Sequence, residues 1–269
     1  MDTTPLHGVL TVVAGVLTGI LSAAFGVGGA VISTPAIRLL GVSAIFAVGT
    51  TLPAILPSAA TGTISYAAKS LVRWSVVVWA GGAGVVAAVV GSLLSHRVPG
   101  EGHWLMIATA GLVGVTAWRM GTREETAAAV EEGDQPPIRS GGERDRPVVL
   151  AGIGAGAGLL SGLLGVGGGV LLIPGFSEIA RLPLKVTIAT SLTCVGVLAV
   201  PSTLVHWGLG DIDWRTAVLL TVGVIPGARL GAALAIKAKD ARLRLAVALF
   251  LGAVAVAYAV GEAAALVSS

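Results

Sequence analysis

Apolar residues fill long segments of this chain, and polar residues collect in the short stretches between them. A helix needs about 20 mostly apolar residues to cross the hydrocarbon core of a membrane. Segments of that length recur from one end to the other, which predicts an all-α polytopic membrane protein. The predicted helices cover residues 8–25, about 28–40, 43–66, 74–95 and 104–120 in the first half, and about 148–163, 167–180, 186–207, 214–236 and 243–262 in the second.

One stretch departs from this apolar pattern. Residues 121–147 contain eleven charged side chains together with Pro136 and Pro137. High charge and low hydrophobicity are typical of a solvated connector that builds no core. We interpret it as a polar linker that joins a first transmembrane repeat, residues 1–120, to a second, residues 148–269.

The second half of the chain repeats the first. Residues 19–35 match residues 158–174 at nine of seventeen positions, at an offset of 139. At an offset of 140 the alignment then continues with small, hydroxyl and aromatic residues, which indicates two homologous repeats. The aligned pairs are Thr50/Thr190, Leu52/Leu192, Thr63/Thr203, Trp74/Trp214 and Gly91/Gly231.

Lysines and arginines in the loops predict how these repeats are oriented. If the glycine-rich break near the start of each half reverses the chain, thirteen of them lie on one side and three on the other, with Arg229 inside a span left out. Without the reversal they divide evenly, eight against eight. The positive-inside rule therefore favours two inverted-topology repeats, with both termini outside and a cytoplasmic linker. Each repeat has a Gly-broken helix, re-entrant or discontinuous, plus three further spans.

The breaks are the first candidate for a binding site. Glycines break a helix and allow a ligand to approach the backbone, and the N–H groups of a following helix N-terminus attract anions. Matching breaks in two inverted halves are a sequence indication of a transporter's binding site. We expect a small oxyanion to bind there, although tight packing of small residues is the alternative explanation. The candidate residues are Ser22, Gly26, Gly28, Gly29, Ser161, Gly165, Gly167 and Gly168.

Two further features are candidates for the same site. The matched pairs Thr50-Thr51 and Thr190-Ser191 can line the cavity with hydroxyls, or can bond back to their own helix backbone. Arg229 lies about 12 Å of helix from Lys237 within a predicted span. It can attract an anion or extend its guanidinium to the cytoplasmic interface, and both interpretations stay open.

Composition limits the classes of function. The chain is 55% hydrophobic and 12% charged, whereas soluble domains carry about 25% charged residues. The net charge of +3 comes from loops and predicts no nucleic-acid partner. Cys194 is the one cysteine and is interpreted as a packing residue; His206 and Trp207 are interpreted as interfacial anchors. No Asp or Glu falls clearly inside a span, so we expect no enzyme, no metal site, no cofactor and no carboxylate proton relay.

At its repeated motifs the chain resembles the sulfite exporter TauE/SafE family. The resemblance covers nearly all of the chain outside the linker and implies transport of sulfite, sulfoacetate or related organosulfonates, often outward. We therefore expect a secondary transporter in the cell membrane that works by alternating access. Uptake, another small anion, channel-like passage, a sensory role and a homo-oligomeric state stay open. The motifs are residues 26–29 and 165–169, each followed by a proline (Pro35, Pro174), and the run 223–231 with Pro226 and Arg229.

Overall fold

The structure, a computed structural model, describes residues 5–39, 44–95, 147–164 and 168–268, together with Gly111, Gly114, Val115 and Trp118. All regular structure in these ranges is helical. Most of the predicted helix 104–120 and of the predicted linker 121–147 lies outside the described residues. The assignment of the chain to an all-helical class is therefore correct for the part that can be compared.

The helices begin and end close to the predicted boundaries. Four of them (α1, α4, α7 and α8) are long and apolar enough, by length and composition, to cross a membrane. Helices α4 and α6 each contain one π-helical turn, at Val77–Gly81 and Gly175–Ile179. The helices are α1 Pro5–Phe25, α2 Ala30–Leu39, α3 Ala44–Ala67, α4 74–95, α5 Pro147–Leu164, α6 Gly169–Ile179, α7 Leu184–Leu209, α8 Trp214–Lys237 and α9 Asp240–Ser268.

Two glycine seams join the first half of the chain to the second. Helix α1 packs on α8, where Gly15 lies against Gly223 and Gly19 against Gly227. Without a Cβ, the two backbones can approach to van der Waals contact, which supplies attraction in an apolar environment that lacks a hydrophobic driving force. Residue numbers rise together along this seam, so α1 and α8 run parallel.

Helices α4 and α5 form the second seam in the same way. Gly84 lies against Gly158, and Gly91 lies against Gly162. Residue numbers again rise together, so these two helices also run parallel. Each half therefore contributes its first helix to a seam with the fourth described helix of the other half.

Helices α3 and α7 cross at the centre, where α7 is buried over much of its length. The hydroxyls of Thr63 and Thr193 lie 3.1 Å apart, and Ala59 packs against Gly196. Residue numbers rise on one helix as they fall on the other, so the pair is antiparallel. This central pair carries the polar side chains that surround the breaks.

Candidate functional site

The first break lies between α1 and α2. Helix α1 ends at Phe25, where the Gly26 N–H donates to the Ser22 carbonyl at 2.8 Å. Gly26 and Gly28 then have φ angles of 69° and 87°, in the left-handed region that residues with a Cβ rarely adopt. The chain turns at these two glycines, and α2 begins at Ala30.

The second break is described from Gly168 onward. Gly168 has a φ of 62° and directly precedes α6, which begins at Gly169. Gly165 and Gly167 lie outside the described residues, so their part in a site stays a prediction. Helix α5 ends at Leu164, one turn after Ser161.

The two breaks contact each other. A Cβ added at Gly169 would collide with the backbone of Val27, whose own side chain is 1% exposed. The start of α6 therefore lies directly on the loop that leads into α2. The first four N–H groups of a helix have no partner within that helix, so two helix N-termini bring their partial positive charges to one region.

Helix α7 supports the first break from the side. The Ser191 hydroxyl donates to the Gly26 carbonyl at 2.8 Å, and Gly26 packs on the backbone of Ile188. From α3, the Tyr66 hydroxyl donates to the Ala23 carbonyl at 2.6 Å. Two hydroxyls from neighbouring helices therefore donate to carbonyl groups at the end of α1, which fixes the position of this break.

Hydroxyl groups near the breaks differ in how they are paired. Ser22 accepts a long hydrogen bond of 3.4 Å from Ser58. Gly29 packs on the methyl group of Thr18, and the Thr18 hydroxyl is buried with no partner among the described residues. The Ser161 hydroxyl is in the same condition, with its side chain 0% exposed. An unpaired buried hydroxyl is costly in an apolar interior, so these two atoms point to a missing polar partner.

The hydroxyls of Thr50 and Thr190 are occupied elsewhere. Thr50 accepts a hydrogen bond from the Asp213 N–H at 2.9 Å, and Thr190 accepts one from the Arg73 N–H at 3.1 Å. Asp213 and Arg73 are the residues that directly precede α8 and α4. Each threonine therefore anchors the start of a helix in the opposite half, rather than pointing to a break.

Thr51 and Arg229 complete the predicted set. The Thr51 hydroxyl bonds back to the Val48 carbonyl at 3.0 Å and lies 3.3 Å from that of Thr34. Arg229 is exposed and lies outside the buried stripe of α8 that packs on α1. The structure does not bring its guanidinium to the buried breaks.

One polar pair was not singled out from the sequence. His206 Nδ1 lies 2.9 Å from Asp211 Oδ2, and the two side chains are 0% and 8% exposed. Gly210, with a φ of 80°, ends α7 and turns the chain back so that Asp211 lies beside the last helical turn. His206 was interpreted from the sequence as an interfacial anchor, but its side chain is buried. A His four residues before Gly-Asp is a weak signal for this pair, because Asp211 lies between two predicted spans.

Chemically, the break region offers backbone N–H groups and neutral hydroxyls. Among the described residues, no three His, Cys, Asp or Glu side chains lie together as metal ligands would. Donors of this kind suit a small oxyanion, which accepts several hydrogen bonds at once and interacts favourably with helix N-termini.

Comparison with known proteins identifies the family. The model of the family described as "Sulfite exporter TauE/SafE" matches residues 11–258. A "Probable membrane transporter protein" of Xylella fastidiosa (strain 9a5c) is 28% identical over 229 residues, which cover 84% of each chain. The "Probable membrane transporter protein YunE" of Bacillus subtilis (strain 168) is 24% identical over 248 residues, covering 84% of this chain and 88% of its own. No solved structure matches.

The family match spans both glycine breaks, both seams and the central pair, and the matched relatives are named as membrane transporters. The apolar helices agree with a location in a membrane. This chain belongs to the sulfite exporter TauE/SafE family of membrane transporters.

Proposed function

We propose that this protein is a secondary transporter that exports small sulfur-containing anions, such as sulfite or an organosulfonate, across the cytoplasmic membrane. The substrate class follows from the family's description as sulfite exporters. An anion that leaves a cell with a negative interior gains about 2.3 kcal/mol per charge per 100 mV, which favours the outward direction.

The main support for the proposed binding site is the contact between the two glycine breaks. Gly169 lies on Val27, so two helix N-termini converge, and Thr18, whose buried hydroxyl has no partner among the described residues, packs on Gly29 of the first break. Ser161, one turn before the end of α5, has a buried hydroxyl in the same state. An oxyanion bound here would accept from both N-termini and from both hydroxyls. Ser22 and Gly28 belong to the same site through the first break, and Gly168 belongs to it through the second.

The directions of the helices support two inverted repeats. Helices α3 and α7 are equivalent in the sequence alignment, and they run antiparallel. Helix α1 runs parallel to α8, and α5 runs parallel to α4. Two halves related by a two-fold axis in the membrane plane would have this combination of directions, and rocking one half against the other would give alternating access.

With the linker in the cytoplasm, both termini lie outside. Labelling of single cysteines introduced at Thr4 and Ser140, in a Cys194→Ala background, tests this orientation. A membrane-impermeant maleimide should reach the first in intact cells and the second only after permeabilisation. Labelling of the linker cysteine in intact cells would contradict the orientation.

Counterflow in proteoliposomes tests the proposed activity. Purified protein is reconstituted with unlabelled sulfite inside, and uptake of labelled sulfite is measured over a range of external concentrations. A carrier that works by alternating access gives saturable uptake that requires internal sulfite. Conductance that rises linearly with concentration would instead indicate a channel, and the absence of sulfite and sulfonate movement would refute the proposed substrate class.

A further inference from the structure

The buried pair of His206 and Asp211 has no part in the proposed anion site. His206 Nδ1 bonds to the Asp211 carboxylate at 2.9 Å, whereas His206 Nε2 is buried and has no partner among the described residues. Asp211 is held in place by its own N–H, which donates to the His206 carbonyl at 3.0 Å. A histidine oriented at one nitrogen and unpaired at the other is arranged to gain or lose a proton at the second.

A second unpaired atom lies on the same face of α7. Thr203 precedes His206 by three residues, which places the two side chains side by side on the helix. The Thr203 hydroxyl is also buried without a partner among the described residues. In the first half, the equivalent residue Thr63 bonds to Thr193 of the second half. The corresponding partner of Thr203 would be the residue aligned with Thr193, but that residue is Pro53, which has no hydroxyl.

The pair lies where the two halves of the protein meet. Asp211 packs on Gly49 of α3, because a Cβ added at Gly49 would collide with the Asp211 carbonyl. Two residues later, the Asp213 N–H donates to the hydroxyl of Thr50. A change of charge on the pair therefore acts directly on a contact between α3 and the α7–α8 turn.

Other charged groups belong to the described elements that pack here. Asp213 is bonded to the N–H of Arg215 at 3.1 Å and to the hydroxyl of Thr216 at 2.6 Å, at the start of α8. Arg215 is exposed. Helix α3 carries no charged side chain, and α2, which packs on α3, carries Arg38.

We infer that His206 and Asp211 form a proton-binding site that couples anion transport to proton movement. In the deprotonated state, Nδ1–H of the neutral imidazole donates to the Asp211 carboxylate, and the pair carries one negative charge. Uptake of a proton at Nε2 converts the imidazole to imidazolium and makes the pair neutral. This change alters the electrostatics of the contact between the halves, whose relative movement the proposed transport cycle requires; in that respect the inference rests on the proposed function.

The test compares wild-type protein with His206→Asn. Asparagine keeps an N–H donor near the position of Nδ1 and cannot be protonated. In proteoliposomes, a difference of one pH unit across the membrane should change sulfite accumulation by up to about tenfold per coupled proton in wild type. His206→Asn should lose this response and keep counterflow at equal pH on both sides. His7→Asn, an equivalent change at an exposed position of α1, is the matched control and should respond as wild type does.

An NMR measurement tests the same proton site without requiring transport. In protein labelled at the histidine rings, the NMR signal that His206→Asn removes should respond to a change of pH, and Asp211→Asn should alter that response. A His206 signal that does not respond to pH, or a pH response of transport that persists in His206→Asn, would overturn the proton site. Wild-type protein without any sulfite or sulfonate flux would refute the proposed function instead, and the titration would still decide about the pair.

Discussion

At the scale of single residues, the aligned serines of the two halves differ in their hydrogen bonds. Ser22 and Ser161 are equivalent in sequence, yet Ser22 has Ser58 as a partner and Ser161 has none among the described residues. The residue aligned with Ser58 is Leu198, which explains the difference. The two repeats thus differ at Ser161, where a buried hydroxyl lacks the partner that its aligned residue has. Such an unpaired atom is a candidate contact for a bound ligand.

Thr50 and Thr190 keep the same task in both halves. Each accepts the N–H of the residue that precedes a helix of the other half, Asp213 and Arg73 respectively. Their alignment at an offset of 140 predicted an equivalent role, but did not reveal that this role is to anchor a helix. Spacing along the chain cannot identify a partner that tertiary packing brings from more than a hundred residues away.

Removal of one of these hydroxyls should destabilise the protein. In Thr190→Val the side chain keeps its shape, and the Arg73 N–H loses the hydroxyl as an acceptor. We expect the free energy of unfolding to fall by about 1–2 kcal/mol, the usual range for a lost hydrogen bond of this kind. The thermal midpoint in detergent measures this change.

Thr221→Val is the matched control for that prediction. The Thr221 hydroxyl bonds only within its own helix, to the Ala217 carbonyl at 2.8 Å. The thermal midpoint of Thr221→Val should therefore stay close to that of wild type. Equal midpoints for Thr190→Val and Thr221→Val would contradict an anchoring role for Thr190.

At the scale of helices, the sequence predicted well where each helix begins and ends, but it predicted poorly which side of a helix is buried. Apolar length, glycines and prolines mark where helices begin and end, so α1, α4 and α5 were predicted to within three residues. Which side of a helix is buried depends on its neighbours. Arg229 lies within α8, inside the predicted span, but the sequence did not reveal that it faces away from the packed stripe of this helix. For the same reason, the sequence did not reveal that Asp211, which lies between two predicted spans, is buried.

The glycine seams give a prediction at this scale. A Cβ at Gly158 would collide with the backbone of Gly84, whereas a Cβ at Gly152, in the same helix, would meet nothing within 4 Å. Gly158→Ala should therefore lower the thermal midpoint because α4 and α5 must separate. Gly152→Ala should keep or raise the midpoint, since alanine favours a helix by about 1 kcal/mol over glycine. A Gly158→Ala variant as stable as wild type would mean that the seam tolerates separation.

At the scale of the whole molecule, both seams and the central pair connect one half to the other. The first helix of each half packs on a helix of the opposite half, and α3 crosses α7 between the seams. The two breaks meet within this arrangement, where Gly169 contacts Val27. Movement of one half against the other would therefore change the breaks, the helix anchors and the His206–Asp211 pair together, which provides a physical route from anion binding to conformational change.

Binding of labelled sulfite to purified protein tests the central claim, that the anion is held where the breaks meet. Wild type should bind one sulfite per chain. Thr18→Val/Ser161→Ala removes two donors to a charged ligand, each contributing about 1.5–3 kcal/mol, so its dissociation constant should rise at least tenfold. The control Ser65→Ala/Thr221→Val removes two hydroxyls that bond within their own helices and should bind as wild type does. Unchanged sulfite affinity in a folded Thr18→Val/Ser161→Ala protein would contradict the account.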